Sequence, residues 1–183
     1  GMSIVKNLVE LMGGRIEIKS EQGKGTAVTL YMDFERVDGA AAEQAEEAES
    51  ANEEVLRGKH VLLAEDHPLN RTIALRLLEK KSMAVDVAED GEQAVAKFAA
   101  SAVGFYDVIL MDIRMPNLDG WEAASRIRGL ARADAGTVKI IAMSANAFED
   151  DVQRSLAVGM NDHLSKPVEP ERVYATLAKH LGK

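Results

Sequence analysis

The chain has no cysteine, so disulfides and thiolate metal sites are closed to it. That lack is compatible with a cytoplasmic protein. Aromatic residues are only 4% of the sequence, against 46% for hydrophobic residues as a whole. A core can therefore form, but an aliphatic one. No stretch approaches the roughly 20 apolar residues of a membrane-spanning helix, and no signal peptide is visible. A basic surplus is missing too. The formal net charge of −8 argues against nucleic-acid binding through a positive surface. The acids are spread unevenly: residues 35–58 hold eight acids and two bases, a net −6 that leaves −2 for the remainder.

The most informative stretch is Asp107-Val108-Ile109-Leu110-Met111-Asp112, followed by Ile113-Arg114-Met115-Pro116-Asn117-Leu118-Asp119-Gly120. Four apolar residues between two aspartates, with Pro and Gly soon after, predict a short strand buried on both faces. Such strands belong to parallel sheets covered by helices on both sides. Asp112 then falls at the carboxyl end of its strand, where open α/β sheets place their ligands. A carboxylate buried there needs a cation or a hydrogen-bond network.

Before this stretch the chain changes character twice. Residues 3–12 have helical apolar spacing (Ile4, Leu8 and Leu11, flanked by Val5, Val9 and Met12), with Ser3 as N-cap and Gly13-Gly14 as stop. Arg15–Ser20 alternates polar and apolar, Glu21–Gly25 reads as a turn, and Val28, Leu30, Met32 and Phe34 alternate in a second strand. This helix–hairpin unit is too small to bury its apolar faces alone. Residues 35–58 are Ala/Glu-rich, with no apolar stripe and dense like charge, and read as a solvated linker with partial helix.

From Lys59 onward, strand and helix alternate through five rounds. The strands are His60–Ala64, Ala84–Ala88, the one ending at Asp112, Val138–Met143 and Asp162–Leu164. The helices are Pro68–Lys80, with Leu69, Ile73, Leu77 and Leu78 as its core face, then Gly91–Ala100, Asp119–Arg128, Phe148–Val158 and Glu169–Leu181. Alternation of this kind predicts a parallel sheet with right-handed crossovers. The carboxyl ends of its strands bring together Glu65, Asp66, Asp112, Ser144 and Lys166. Three acids, a hydroxyl and an amine make a poor core but a sensible site for Mg²⁺ and a phosphoryl group, since Mg²⁺ takes hard oxygen ligands. A carboxylate can attack phosphorus while a metal and a lysine hold the charge.

In their order and register, Glu65-Asp66, Met111–Pro116, Asp119-Gly120, Ser144-Ala145, Gly159-Met160 and Lys166-Pro167 make residues 59–183 similar to the receiver domains of two-component response regulators. The resemblance implies a doubly wound, flavodoxin-like sheet in strand order 2-1-3-4-5. It implies Asp112 as phosphoacceptor, Mg²⁺ held by Asp66 and Asp112 with help from Glu65 and the backbone carbonyl of Arg114, and Ser144 and Lys166 on the phosphoryl oxygens. The family's switch aromatic, three residues before the lysine, is here His163. Leu69 and Asn70 lie on the helix that in the family helps dock the phosphodonor domain. Residues 1–34 resemble the end of a sensor histidine kinase ATP-binding domain: Gly1–Val5 matches the end of its second glycine box, and Met12–Ile16 with Gly23–Thr26 its closing hairpin. The family's asparagine box, aspartate-glycine box and ATP lid would lie upstream, so this unit is not expected to bind ATP.

The order kinase tail, linker, receiver resembles a hybrid sensor histidine kinase. It implies phosphoryl transfer from the phosphohistidine domain of its own or a cognate kinase to Asp112, and onward to a histidine phosphotransfer protein. No DNA-binding output domain is expected after Lys183, which suits a relay or phosphate sink. Two rivals differ in class. A phosphohydrolase of the haloacid-dehalogenase type would prefer an Asp two residues after its nucleophile, where Arg114 stands. A receiver-like interaction module that is never phosphorylated would not need the complete acid, hydroxyl and lysine set. His60, His67 and His180 lack metal-ligand spacing and read as surface or strand-edge residues. Trp121 reads as packing and the methionines as core fillers.

Overall fold

The computed structural model describes residues 9, 14–21, 23, 25–32, 53–145 and 149–182. The helix expected over residues 3–12 lies, apart from Val9, outside the described residues, as does most of the acidic stretch. The chain divides into two units, residues 1–46 and 47–183.

In the first unit, β1 (Arg15–Glu21) and β2 (Gly25–Tyr31) form an antiparallel hairpin. The second strand starts three residues earlier than its apolar alternation indicates. Pairing runs up to Glu21 opposite Gly25, with Gly23 and Gly25 at φ 81° and 107°, the left-handed region that glycine enters without steric cost. Ile16 faces Leu30 and Ile18 faces Val28, and Ile18, Val28 and Leu30 are exposed.

In the second unit the central strands are apolar on both faces, so only a sheet sandwiched by helices buries them. In chain order it contains β3 (His60–Ala64), α1 (Pro68–Lys80), β4 (Ala84–Ala88), α2 (Gly91–Ala100), β5 (Val108–Asp112), α3 (Gly120–Arg128), β6 (Lys139–Ser144), α4 (Glu149–Ala157), β7 (Asp162–Ser165) and α5 (Pro170–Leu181). All strand pairs are parallel, in the order β4-β3-β5-β6-β7. This is the expected flavodoxin-like 2-1-3-4-5 sheet. Alternate residues feed opposite cores: Leu62, Ile109 and Ile140 meet Phe98 and Ile127 on one face, while Leu63, Leu110 and Ile141 meet Leu78 and Leu177 on the other. Each such burial stabilises by roughly 1.5–3 kcal/mol. Pro68 begins α1, and the Asp119 carboxylate caps α3 by accepting from the Glu122 N–H at 2.8 Å.

Two expectations need correction. On α1 the buried residues are Ala74 and Leu78, whereas Leu69 and Ile73 are 62% and 43% exposed. The helix carries two adjacent apolar stripes, and the sheet takes the one with the smaller residue at its centre. The end of the acidic stretch is not a solvated linker. Glu53–Leu56 form a helical turn, and Leu56 is fully buried with Val61, Leu78 and Leu177. Its neighbour Glu53 pairs with the buried Lys81 at 3.3 Å.

Candidate functional site

The carboxyl ends of β3 and β5 lie side by side, because Ala64 pairs with Met111. Glu65, Asp66 and Asp112 follow directly, and each offers an oxygen within 4.8 Å of the others. Close approach of the next loop requires Gly120, where a Cβ would stand 2.1 Å from the Asp112 carbonyl oxygen. Glu65 and Asp112 are buried, and Asp66 is the most solvent-facing of the three.

Lys166, at the end of β7, enters this cluster from the other side. Its Nζ lies 2.5 Å from Glu65 Oε2 and 2.6 Å from Asp112 Oδ2, bridging acids that lie 101 and 54 residues away in the chain. The Lys166–Pro167 peptide is cis. Asp112 Oδ1 accepts from the Arg114 N–H at 3.1 Å, so Arg114 joins the site through its backbone. Glu65 Oε1 accepts from the His67 N–H at 3.3 Å and from Asn70 Nδ2 at 3.2 Å. Among the described residues the Asp66 carboxylate has no hydrogen-bond or ion-pair partner. Three acids with one lysine leave the cluster short of positive charge. Burial pushes the Asp112 carboxyl above its ordinary range, the Glu65 charge adds to the rise, and Lys166 opposes it.

Ser144 ends β6, and its backbone carbonyl accepts from the Lys166 N–H at 2.7 Å. Its hydroxyl lies 2.7 Å from His163 Nε2. His163 sits half-buried on β7 beside it, because Ala142 pairs with His163 and Ser144 with Ser165. Burial lowers the pKa of the imidazole, against a smaller upward pull from Asp151 and Asp162. His163 Nδ1 is buried with no hydrogen-bond partner among the described residues. All seven residues expected at the site (Glu65, Asp66, Asp112, Arg114, Ser144, His163 and Lys166) therefore gather at one end of the sheet.

The remaining histidines divide. His67 is exposed, as expected, and His60 is half-buried at the first position of β3, a strand paired on both sides. His180 is a correction: its side chain is only 15% exposed and its Nε2 lies 2.8 Å from Asp162. Trp121 packs as expected, with its Nε1 donating to Ser155 Oγ at 3.0 Å and Arg154 stacked 3.8 Å over its ring. Sequence reasoning missed Arg71, which donates to the carbonyls of Glu65 and Asp66. Its place five residues after Asp66, in the second turn of α1, was the available signal.

A flavodoxin-like sheet with an acid cluster at its strand ends, a hydroxyl on the next strand and a lysine after the last defines a receiver-type protein. A family model for the response regulator receiver domain matches residues 61–178, and the chain belongs to that family. At its N-terminus, residues 1–36 match the family of histidine kinase-, DNA gyrase B- and HSP90-like ATPases. The aerobic respiration control sensor protein ArcB of Escherichia coli is 34% identical over 180 residues, which is 98% of this chain. The chain spans 22% of the length of that relative. Among solved structures, the receiver domain of sensor histidine kinase PA1611 from Pseudomonas aeruginosa PAO1, with a magnesium ion in its active-site cleft, is 37% identical with a TM-score of 0.62. It covers 69% of this chain and 99% of its own. The receiver domain of Ssk1, crystallised with the histidine phosphotransfer protein Ypd1 of Saccharomyces cerevisiae, is 28% identical with a TM-score of 0.61, covering 68% and 90%. Residues 61–178 are thus a receiver domain of the kind found in hybrid histidine kinases, preceded by a segment similar to that ATPase family.

Proposed function

We propose that Asp112 is the phosphoacceptor of a Mg²⁺-dependent phosphorelay within a hybrid histidine kinase. The observation that carries this is the charge balance at the strand ends: three carboxylates within 4.8 Å, answered among the described residues by Lys166 alone. Asp66 and Asp112, with Glu65 and the Arg114 carbonyl, would hold the metal through hard oxygen ligands. When bound, it supplies positive charge to the equatorial phosphoryl oxygens and holds Asp112 ionised. Lys166 turns from Asp112 and Glu65 toward a phosphoryl oxygen, and the Ser144 hydroxyl leaves His163 to donate to another. A carboxylate oxygen of Asp112 forms the new bond to phosphorus as the bond to the donor imidazole nitrogen breaks. The electron pair stays on that nitrogen, so a donor ring already protonated at its other nitrogen leaves as neutral imidazole. The protein's contribution is mostly positioning and electrostatics, as in phosphoryl transfer generally.

The donor is a phosphohistidine domain and the onward acceptor a histidine phosphotransfer protein. Leu69 and Ile73, exposed beside the cleft lined by Glu65, Asn70 and Lys166, offer such helical partners an apolar landing site. The ArcB and Ssk1–Ypd1 likenesses support this reading, which places the domain in the cytoplasm with its kinase. Residues 59–183 act as the receiver, 35–58 as an acidic connector whose last turn joins the receiver's fold, and 1–34 as the end of the kinase ATPase domain. Incubation with Mg²⁺ and acetyl phosphate tests the assignment by mass spectrometry. The chain gains one phosphoryl group and Asp112→Asn gains none; equal labelling of the two overturns it.

A further inference from the structure

The Asp66 carboxylate has no protein partner among the described residues, so its position is set by its backbone. That backbone is held from one side by a single guanidinium. Arg71 Nη1 donates to the Glu65 carbonyl at 3.1 Å and to the Asp66 carbonyl at 3.2 Å. Its Nη2 pairs with Glu89 Oε1 at 3.1 Å, just beyond the end of β4. From the strand side, the Glu65 N–H donates to the Ala88 carbonyl at 3.0 Å. The planar fork thus spans the loop that carries both acids and the loop after the neighbouring strand. Lysine cannot reproduce this, because one ammonium is a compact point donor without the fixed fork.

We infer that Arg71 is a positioning residue for the metal site: it fixes the Glu65-Asp66 main chain so that the unpaired Asp66 carboxylate meets Asp112 at metal-binding distance. This rests on the proposed Mg²⁺ reading and deepens it. Two effects of Arg71 on a bound cation have opposite signs. As a nearby positive charge it repels Mg²⁺, so neutralising it would tighten binding. As a brace it preorganises the ligands, so removing it weakens binding, as loss of an outer-shell partner does. Only the second is the inference.

Calorimetric titration of the 183-residue chain with Mg²⁺ alone, together with melting of the metal-free proteins, separates these. Arg71→Gln weakens Mg²⁺ binding by about tenfold. Arg71→Lys, which keeps the charge and loses the fork, weakens it by about threefold or more, short of the roughly ten- to hundredfold of a full outer-shell loss. At saturating Mg²⁺ the rate of Asp112 labelling by acetyl phosphate returns to near the native value in both, because ligand placement and not the nucleophile has been changed. A purely structural role lowers the melting temperature of the metal-free variants and leaves the Kd unmoved. A native or tighter Kd in either folded variant overturns the inference, and Arg71→Lys alone decides it where Arg71→Gln does not fold. Absence of Mg²⁺ binding by the native chain sinks the metal reading itself, and this inference with it.

Discussion

The two ends of the receiver sheet handle charge in opposite ways. At the amino ends of the strands, two arginines are densely hydrogen-bonded. Arg128 donates to the carbonyls of Gly159 (2.9 Å), Ala135 (2.6 Å) and Val138 (2.9 Å) and to Asn161 Oδ1 at 3.1 Å. Arg132 donates to the carbonyls of Phe98, Ala99, Ser101 and Ala102 at the end of α2. It also pairs with Asp134, and its guanidinium holds that carboxyl at about 2. At the carboxyl ends, by contrast, Lys166 is shared by Glu65 and Asp112, and among the described residues Asp66 has no partner and His163 Nδ1 is unsatisfied. Buried polar groups are normally paired. Saturation marks the scaffold here, and shortage marks the end proposed to take a cation and a phosphoryl group.

The largest expected effect falls on the saturated end. Arg128→Met leaves three backbone carbonyls without their donor and should cost about 3 kcal/mol, at the upper range for orphaned buried groups. Urea unfolding measures this. A loss within experimental error of zero would mean that saturation at this end carries no stability, and the contrast would fail.

At the acidic end the sign reverses, because adding a cation or removing a charge should stabilise. Mg²⁺ at ten times its Kd should add about 1.4 kcal/mol by mass action, read as a rise in melting temperature that Asp66→Ala removes. A curve unmoved by millimolar Mg²⁺ would count against the site. Asp112→Asn should stabilise the metal-free chain by about 1 kcal/mol, since it removes a buried charge beside Glu65 while Lys166 keeps its bond to Glu65. Destabilisation by the same amount would show that the Lys166–Asp112 pair outweighs the repulsion.

The smallest effect concerns His163. Its folded pKa is held below the ordinary 6.5, so between the two values the unfolded chain binds more protons. Stability therefore falls as pH falls through this window, and His163→Phe should flatten that slope. Denaturant midpoints from pH 7.5 to 5 report it. An unchanged slope would place the acid sensitivity elsewhere. NMR of the His163 ring with and without a beryllofluoride mimic of the phosphoryl group sharpens the same point. Breaking of the Ser144–His163 contact should move both the ring and its titration, and an unmoved ring removes His163 as the switch.

Much of this was open to reading in one dimension. The run Val108–Met111 between aspartates specified a strand buried on both faces, because only a covered parallel sheet tolerates four consecutive apolar residues. Pro68, Asp119 and Gly120 punctuated the helices through local chemistry that acts within a few residues. The spacing of Glu65, Asp66, Asp112, Ser144 and Lys166 sufficed to place them at one edge, since parallel strands all end on the same side. Tertiary structure alone decided the rest. Periodicity cannot say which of two adjacent stripes on α1 meets the sheet, so Leu69 and Ile73 proved exposed. Composition cannot show that Leu56, beyond a run of glutamates, finds a buried seat between α1 and α5. The grip of Lys166 on both Glu65 and Asp112, the hydroxyl of Ser144 turned to His163, and the fork of Arg71 across two loops depend on side-chain direction at distances of a few ångströms, which chain order does not encode.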